Sequence, residues 1–335
     1  MTAPVAYVLD VGHGNCAVAR DDAHSVVVDT PPTDTLLRTL AQRSVDRVDA
    51  VLISHADRDH VAGLPAVLSA KNLVVDAVYL NPDATKPLSR PQQRLITAAL
   101  EDAIGSGRTR VHLQLNTLFG DTLSAGKVRV EVLAPRWQQA RGGVGGTTNT
   151  GRRTTSNTLS AVIRVGTPNG RHVLVAGDLD TVGLADLLSA GADLHADVLV
   201  FPHHGGGVRG ADPGGFARAL CHAVGPQTVV FSMGRQPHEH PDPRIVAAVQ
   251  EEIPTVHIAC TQLSRHCAHT LPVQRGDHFS DLPREGLLNG PSCAGSLILP
   301  LRVGPVAPTV ASHRDYVEQH VPTPMCAPSV VGARA

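Results

Sequence analysis

Four side chains able to hold a metal ion lie within six residues at His55-Ala56-Asp57-Arg58-Asp59-His60. They follow directly on the apolar run Ala50–Ser54, so a tight loop at a strand end would present them. Alternate residues of such a loop can aim at one point, and imidazoles mixed with carboxylates suit divalent transition metals. Two further strand-like runs end in the same way. Val173-Leu174-Val175-Ala176 leads into Gly177-Asp178, and Asp197–Phe201 leads into Pro202-His203-His204-Gly205. Each piece alone has a plainer explanation: Asp57 or Asp178 as a helix cap, the histidine pair as a hydrogen-bonded loop. Three strand ends that all carry ligand-type residues point instead to one site, because α/β folds build sites where strand ends converge.

The elements that must position these residues are legible as short β-branched runs. Strands are predicted at Val5–Val11, Ser25–Asp29, Ala50–Ser54, Val75–Leu80, Val128–Leu133, Leu159–Val165, His172–Ala176, Asp197–Phe201 and Thr228–Ser232. Helical spacing falls between them at Thr33–Arg43, Val61–Ala70, Ser89–Ile104, Thr181–Ala190, Pro213–Ala223 and Asp242–Glu251. This alternation indicates an α/β protein with helix-covered sheets. The early strands lie too close together for crossover helices, so the sheets should be mixed. Gln138–Ser156 holds five Gly, five Thr and three Arg (Arg141, Arg152, Arg153) and reads as a mobile, basic loop. From Gly304 onward prolines recur without apolar periodicity, which predicts a weakly structured tail over 304–335.

Six segments stand in a distinctive order over residues 5–250. They are Leu9-Asp10-Val11-Gly12-His13-Gly14-Asn15, Ser54–His60, Ser156-Asn157 with Ser160, Gly177-Asp178-Leu179, Pro202-His203-His204-Gly205 and His240-Pro241. Together they resemble the metallo-β-lactamase superfamily, and within it the domain of ComEC-type DNA-uptake proteins. The resemblance implies an α/β (α+β) fold, a four-layer αββα sandwich of two mixed sheets with a metal site at one edge. A catalytic domain over 1–300 is expected, its extension over 251–303 lying beyond the matching segments. The resemblance also implies two divalent ions, Zn²⁺ or Mn²⁺. His55 and Asp57 fall to one ion, Asp59 and His60 to the other, with Asp178 as bridge and His203 as a final ligand. His204 is the alternative ligand or a substrate contact, and the choice within the pair stays open. Asp59 and His240 are the catalytic candidates, His240 matching a position that contacts substrate phosphate or acts as general acid.

Three departures from the superfamily pattern matter chemically. Asp57 replaces the second histidine of the usual His-x-His-x-Asp-His, as in the ComEC-like branch. The superfamily's third histidine falls near Ser156-Asn157, which makes Asn157 a weaker alternative ligand or a substrate contact. The opening Gly-Gln-Gly-Asp of ComEC-like chains reads Gly12-His13-Gly14-Asn15 here. Three carboxylates against two divalent ions leave one positive charge, which a bridging hydroxide neutralises. Oxygen ligation in place of imidazole moves preference toward harder ions, so Mn²⁺ competes with Zn²⁺.

Composition sets the outer limits. Eighteen histidines stand against 5 Phe, 3 Tyr and 1 Trp, which is what prompts a search for metal ligands. With 29 Lys+Arg against 30 Asp+Glu, the chain cannot grip nucleic acid by bulk charge. The expected substrate is a phosphodiester met transiently: single-stranded DNA or RNA, or a small nucleotide. Hydrolysis of a lactone or thioester, and a non-catalytic metal-binding module, are the competing expectations. No apolar run is long enough for a membrane span, and no signal-peptide pattern opens the chain, so a cytoplasmic protein is expected. Protein partners are not indicated. Cys260, Cys267 and Cys293, interleaved with His266 and His269, could hold a structural zinc, although buried thiols are the plainer reading.

Overall fold

The computed structural model describes residues 3–83, 85–86, 90–207, 212–270, 278–286, 291–302 and 306–327. The chain begins with β1 (Val5–Val8), β2 (Ala17–Arg20), β3 (Ser25–Val28), α1 (Thr35–Gln42), β4 (Arg47–Val48) and β5 (Ala50–Leu52). It continues through α2 (Arg58–Val61), α3 (Leu64–Ser69), β6 (Val74–Val75), β7 (Ala77–Tyr79), α4 (Pro91–Ser106) and β8 (Arg110–His112). Then come β9 (Arg129–Ala134), α5 (Trp137–Gly142), β10 (Val162–Gly166), β11 (Val173–Val175), α6 (Thr181–Ser189) and β12 (Val198–Val200). The last elements are α7 (Pro213–Val224), β13 (Thr228–Phe231), α8 (Pro243–Glu252), β14 (His257–Cys260), β15 (Leu297–Pro300) and α9 (Val310–His320).

Two mixed sheets face each other. One has the order β15-β1-β2-β3-β5-β7-β8, antiparallel up to β3 and parallel from there. The other has the order β14-β13-β12-β11-β10-β9, parallel from β14 to β11 and antiparallel beyond. Period-two alternation explains the layering. In β1, Ala6 and Val8 turn inward to a core shared with Val173, Val175, Val198 and Val200 of the opposite sheet. Tyr7 turns outward to pack with Leu36, Leu40, Leu64 and Ile96 of the helices on that side. On the far side Leu174, Leu199 and Val229 pack against Leu184, Phe216, Leu220 and Ile245. The result is the αββα sandwich that the resemblance implied. Small Ala and Val at the inner positions let the two sheets approach closely.

The C-terminal third adds two strands and a helix to these layers. Within 251–303, β14 and β15 are edge strands of the two sheets. The tail from 304 is not weakly structured over Val310–His320, where α9 starts on a Thr309 cap that accepts from Ser312 N. Tyr316, Val317 and Val321 of this segment are buried in the outer core beside Cys260 and Ile258. Few apolar residues suffice there because they fall on one face. The tail beyond 327 lies outside the described residues. Likewise the basic loop within 138–156 carries the end of α5 and a turn closed by Gly145 N to Thr154 O and Thr154 N to Gly146 O. Among the described residues no helix is long and apolar enough to cross a membrane.

Replacing Tyr316 with Ala should cost about 3 kcal/mol, the range for deleting a buried aromatic ring. Equilibrium urea unfolding measures it. A cost below about 0.5 kcal/mol, typical of surface changes, would mean that α9 contributes nothing to the core.

Candidate metal centre

The ends of β5 in one sheet and of β11 and β12 in the other meet at one edge. Ala161 N donates to Ser54 O at 2.8 Å across the sheets, and His203 N donates to Gly177 O at 3.3 Å between neighbouring strand ends. Gly177 makes this approach possible. Its φ is +53°, and a Cβ there would stand 2.3 Å from Ser160 Oγ and 2.9 Å from Ser54 Cβ. The capping explanations for the aspartates fail. Asp180, not Asp178, caps α6, accepting from Gly183 N at 2.8 Å. Asp57 sits at the N-cap of α2 but makes no capping bond. Its Oδ2 stands 3.5 Å from His55 Nε2, and its Oδ1 contacts the Lys86 ammonium.

Asp178 stands between two sets of imidazoles. Its Oδ1 lies 3.3 Å from His60 Nε2 and 3.8 Å from His204 Nε2. Its Oδ2 lies 3.7 Å from His55 Nε2 and 3.4 Å from His203 Nδ1. Asp59 Oδ2 is 3.1 Å from His204 Nε2 and 3.9 Å from His60 Nε2. The structure therefore brings His55, Asp57, Asp59, His60, Asp178, His203 and His204 together. Within the open histidine pair, both members reach the cluster, from opposite sides of Asp178. Both hold left-handed backbone, φ +52° at His203 and +56° at His204, a conformation that non-glycine residues rarely keep without local compensation.

The surroundings leave the facing atoms free for a cation. His60 Nδ1 is hydrogen-bonded to Asp29 Oδ2 at 2.7 Å, and His204 Nδ1 donates to Ser232 O at 2.8 Å. Each bond fixes a ring and turns Nε2 into the site, as partners of metal-ligating histidines do. His55 Nε2, His60 Nε2 and Asp178 Oδ1 are buried without a hydrogen-bond partner, so the donor set fits divalent ions. Burial, and then the nearby His60, bring His55 down to about 3. Burial would neutralise Asp178 and Asp59, but the facing histidines outweigh it and hold both well below the usual carboxylate range. Burial likewise opposes charge on His60, yet Asp29 and Asp178 hold its pKa well above the ordinary value. A divalent ion would displace that proton.

Two site residues escaped the sequence reading. His13 Nε2 lies 3.3 Å from Asp59 Oδ2, and His13, Asp59 and His204 form one group of closely spaced ligand atoms. Gly14 allows this: a Cβ there would stand 2.7 Å from Asp59 O. The signal was the histidine in Gly12-His13-Gly14-Asn15, noted as a departure but given no role. Asp29 was seen only as a strand end. It is fully buried, with φ +62°, and accepts from Ser54 N, Ser54 Oγ and Asn15 Nδ2 as well as contacting His60. The 251–303 stretch supports the His13 loop through Asp10, which accepts from Gly12 N, Gln262 Nε2, Gly286 N and Ser292 Oγ.

The remaining candidates are placed as follows. Asn157 is half-buried and its carbonyl accepts from Ser160 N; Ser160 is the residue that enters the cluster, its Oγ accepting from Asp178 N and lying 3.4 Å from His55 Nδ1. His240 is half-buried and stacks on His238 at 5.3 Å, with His13 at 5.9 Å. Burial, then His204 and His13, bring it down to about 4. Cys260, Cys267 and Cys293 line one apolar cavity with Cys326. His266 Nε2 faces Glu239 O, and His269 gives its carbonyl to Arg235. Among the described residues two groups have ligand atoms close enough to hold an ion, and neither contains a cysteine. Burial pushes the Cys260 and Cys293 thiols well above their ordinary value.

The family model of the metallo-beta-lactamase superfamily matches residues 9–205. The chain belongs to this superfamily. The match runs from Leu9, just after β1, through the His203-His204 turn, and so includes every member of the cluster. ComE operon protein 3 of Bacillus subtilis (strain 168) is 22% identical over 220 residues, 64% of this chain and 24% of that protein. This chain therefore spans about a quarter of that relative's length. Among solved structures, the metallo-beta-lactamase fold protein YhfI from Bacillus subtilis aligns at 12% identity and TM-score 0.49, covering 78% of this chain and 98% of that one. Unliganded yeast PDE1 aligns at 12% identity and TM-score 0.49, covering 77% and 97%.

Asp29→Asn keeps the side-chain shape but removes the charge that fixes His60. Divalent-ion affinity should fall roughly 10- to 100-fold, the usual cost of losing a partner of a ligating histidine. Competition against a chromophoric chelator reads this directly, and unchanged affinity would remove His60 from the ligand set.

Proposed function

We propose that this chain is a two-metal phosphodiesterase, acting on single-stranded nucleic acid or a nucleotide with Zn²⁺ or Mn²⁺. The observation that carries this reading is Asp178, whose two oxygens face different pairs of histidines. A carboxylate shared in that way suits two ions rather than one. His55, Asp57 and His203 would hold the first ion, and Asp59, His60, His204 and His13 the second. Paired divalent ions supply Lewis acidity and a nucleophile from water at neutral pH, and they suit in-line displacement at phosphorus.

The chain's own residues do the rest. Asp29 and Ser232 lock the rings of His60 and His204, so the ligand atoms need no reorganisation. The facing histidines hold Asp59 and Asp178 well below the usual carboxylate range, so both carboxylates would be ionised for the ions they hold. His240, at about 4, is neutral near pH 7. It therefore serves as a neutral N–H donor to a phosphate oxygen, not as a stored proton for the leaving group. The carboxylate-rich donor set favours Mn²⁺ alongside Zn²⁺.

A panel of bis-p-nitrophenyl phosphate, single-stranded oligonucleotides, a lactone and a thioester, each with Mn²⁺ or Zn²⁺, tests the reading. Phosphodiesters should turn over, and Asp178→Ala should reduce turnover by more than about a hundredfold, beyond the cost of losing an outer partner. Turnover of the lactone or thioester alone would overturn the phosphodiester assignment. His240→Gln should lower kcat/KM by roughly tenfold while leaving the pH profile between 5 and 8 unchanged in shape. Loss of an alkaline limb in that variant would restore His240 as a titrating acid.

A further inference from the structure

Lys86 has no place in the ligand pattern of the sequence, yet its side chain reaches the metal cluster. It stands in the connection between β7 and α4, in a turn where Lys86 N donates to Asp83 O at 3.0 Å and Thr85 N and Oγ donate to Asp83 Oδ1. Asn81 Nδ2 donates to Leu115 O at 2.8 Å and holds the start of that connection to the body. The Lys86 ammonium contacts Asp57 Oδ1, and only 19% of its side chain is exposed. Asp57 Oδ2, on the other side of the same carboxylate, faces His55 Nε2 at 3.5 Å. The other charges acting on the ammonium are Arg90, which repels it, and Asp178, which attracts it.

We propose that Lys86 is a built-in competitor for the first metal position, its ammonium holding the Asp57 carboxylate against the divalent ion. This rests on the two-metal reading above and gives it an asymmetry. The group built on Asp59, His60, His204 and His13 has no lysine contact of this kind among the described residues, and it has the better-fixed imidazoles. It should load first and tightly. The group built on His55, Asp57 and His203 must displace an ammonium before Asp57 can ligate, so it should load second and weakly. Two cations close together on one half-buried carboxylate repel each other strongly, so the exchange is mutually exclusive in effect. Once displaced, the Lys86 ammonium stands at the rim of the site as a contact for an anionic oxygen of the substrate.

The test is isothermal titration of the metal-stripped protein with Mn²⁺ alone, for the parent chain, Lys86→Met and Asp57→Asn, with thermal melts to confirm folding. Lys86→Met should tighten the weaker equivalent by roughly tenfold or more, the fold-change corresponding to one hydrogen bond to a charged group. The tighter equivalent should shift less than the weaker one, because the Lys86 ammonium contacts Asp57, while the two positions couple only through Asp178. Where the parent shows one equivalent, Lys86→Met should reveal the second. Asp57→Asn should remove the weaker equivalent. If Lys86→Met leaves the weaker equivalent unchanged or shifts both alike, this inference is overturned while the two-metal reading stands; a single equivalent in both the parent and Lys86→Met overturns both. A parent chain that binds no divalent ion overturns both.

Discussion

The contact between His60 Nδ1 and Asp29 Oδ2, 2.7 Å long and fully buried at both ends, is the constraint on which the site depends. A buried carboxylate is costly unless its oxygens are satisfied. Asp29 meets that demand with partners from three separate segments: Asn15 between β1 and β2, Ser54 after β5, and His60 in α2. Satisfying one charge thus fixes the relative positions of three strand ends. It also fixes which nitrogen of His60 faces the cluster. Truncating the carboxylate would leave His60 free to turn and the strand ends without their common tie.

From that tie the rest of the centre follows by close backbone approach. Gly14 rests against the Asp59 carbonyl and Gly177 against Ser54 and Ser160, so the β1 loop closes on α2 and the β11 end closes on the end of β5 and the start of β10. Ser232 joins the two halves, donating from Oγ to Gly14 O and accepting from His204 Nδ1. The left-handed backbone at Asp29, His203 and His204 is the local cost of aiming three side chains from strand ends at one point. The cost is sustained because Asp29 and His204 are held by partners on more than one element, and His203 by Gly177 and Asp178 at the end of β11.

How much of this could be read from the sequence depends on the range of the interaction. The central strands were legible, since runs such as Val173–Val175 and Val198–Val200 are apolar on both faces, and the helices between them show clear spacing. The ligand types were legible where they cluster at strand ends. What escaped depends on distant pairing. β15 is a short run whose identity as a strand comes from its antiparallel register with β1, at the other end of the chain. β4 and β6 are two residues each and exist only through one another. The helix in the tail is defined by three apolar residues meeting the outer core, a pattern too sparse to stand out among prolines. His13 and Asp29 were visible as residues, but their roles come from a glycine-permitted approach and a buried charge, neither of which has a sequence period.

The charge arrangement also explains why ion and substrate must act together. The whole chain is close to neutral, at −1, but the site gathers Asp57, Asp59 and Asp178 above the buried Asp29. On the proposed reading, an anionic substrate meets carboxylates in the empty site that the neutral imidazoles of His55 and His240 do not offset and that the His60 imidazolium and the Lys86 ammonium offset only in part. Divalent ions invert the local potential, and an anionic substrate in turn stabilises their retention. By linkage the coupling is reciprocal: the factor by which a bound ion strengthens substrate binding is the factor by which bound substrate strengthens ion binding. On the proposed reading, a centre whose donors are as much carboxylate as imidazole ties recognition to its metal content rather than to bulk charge, which is −1 over the whole chain.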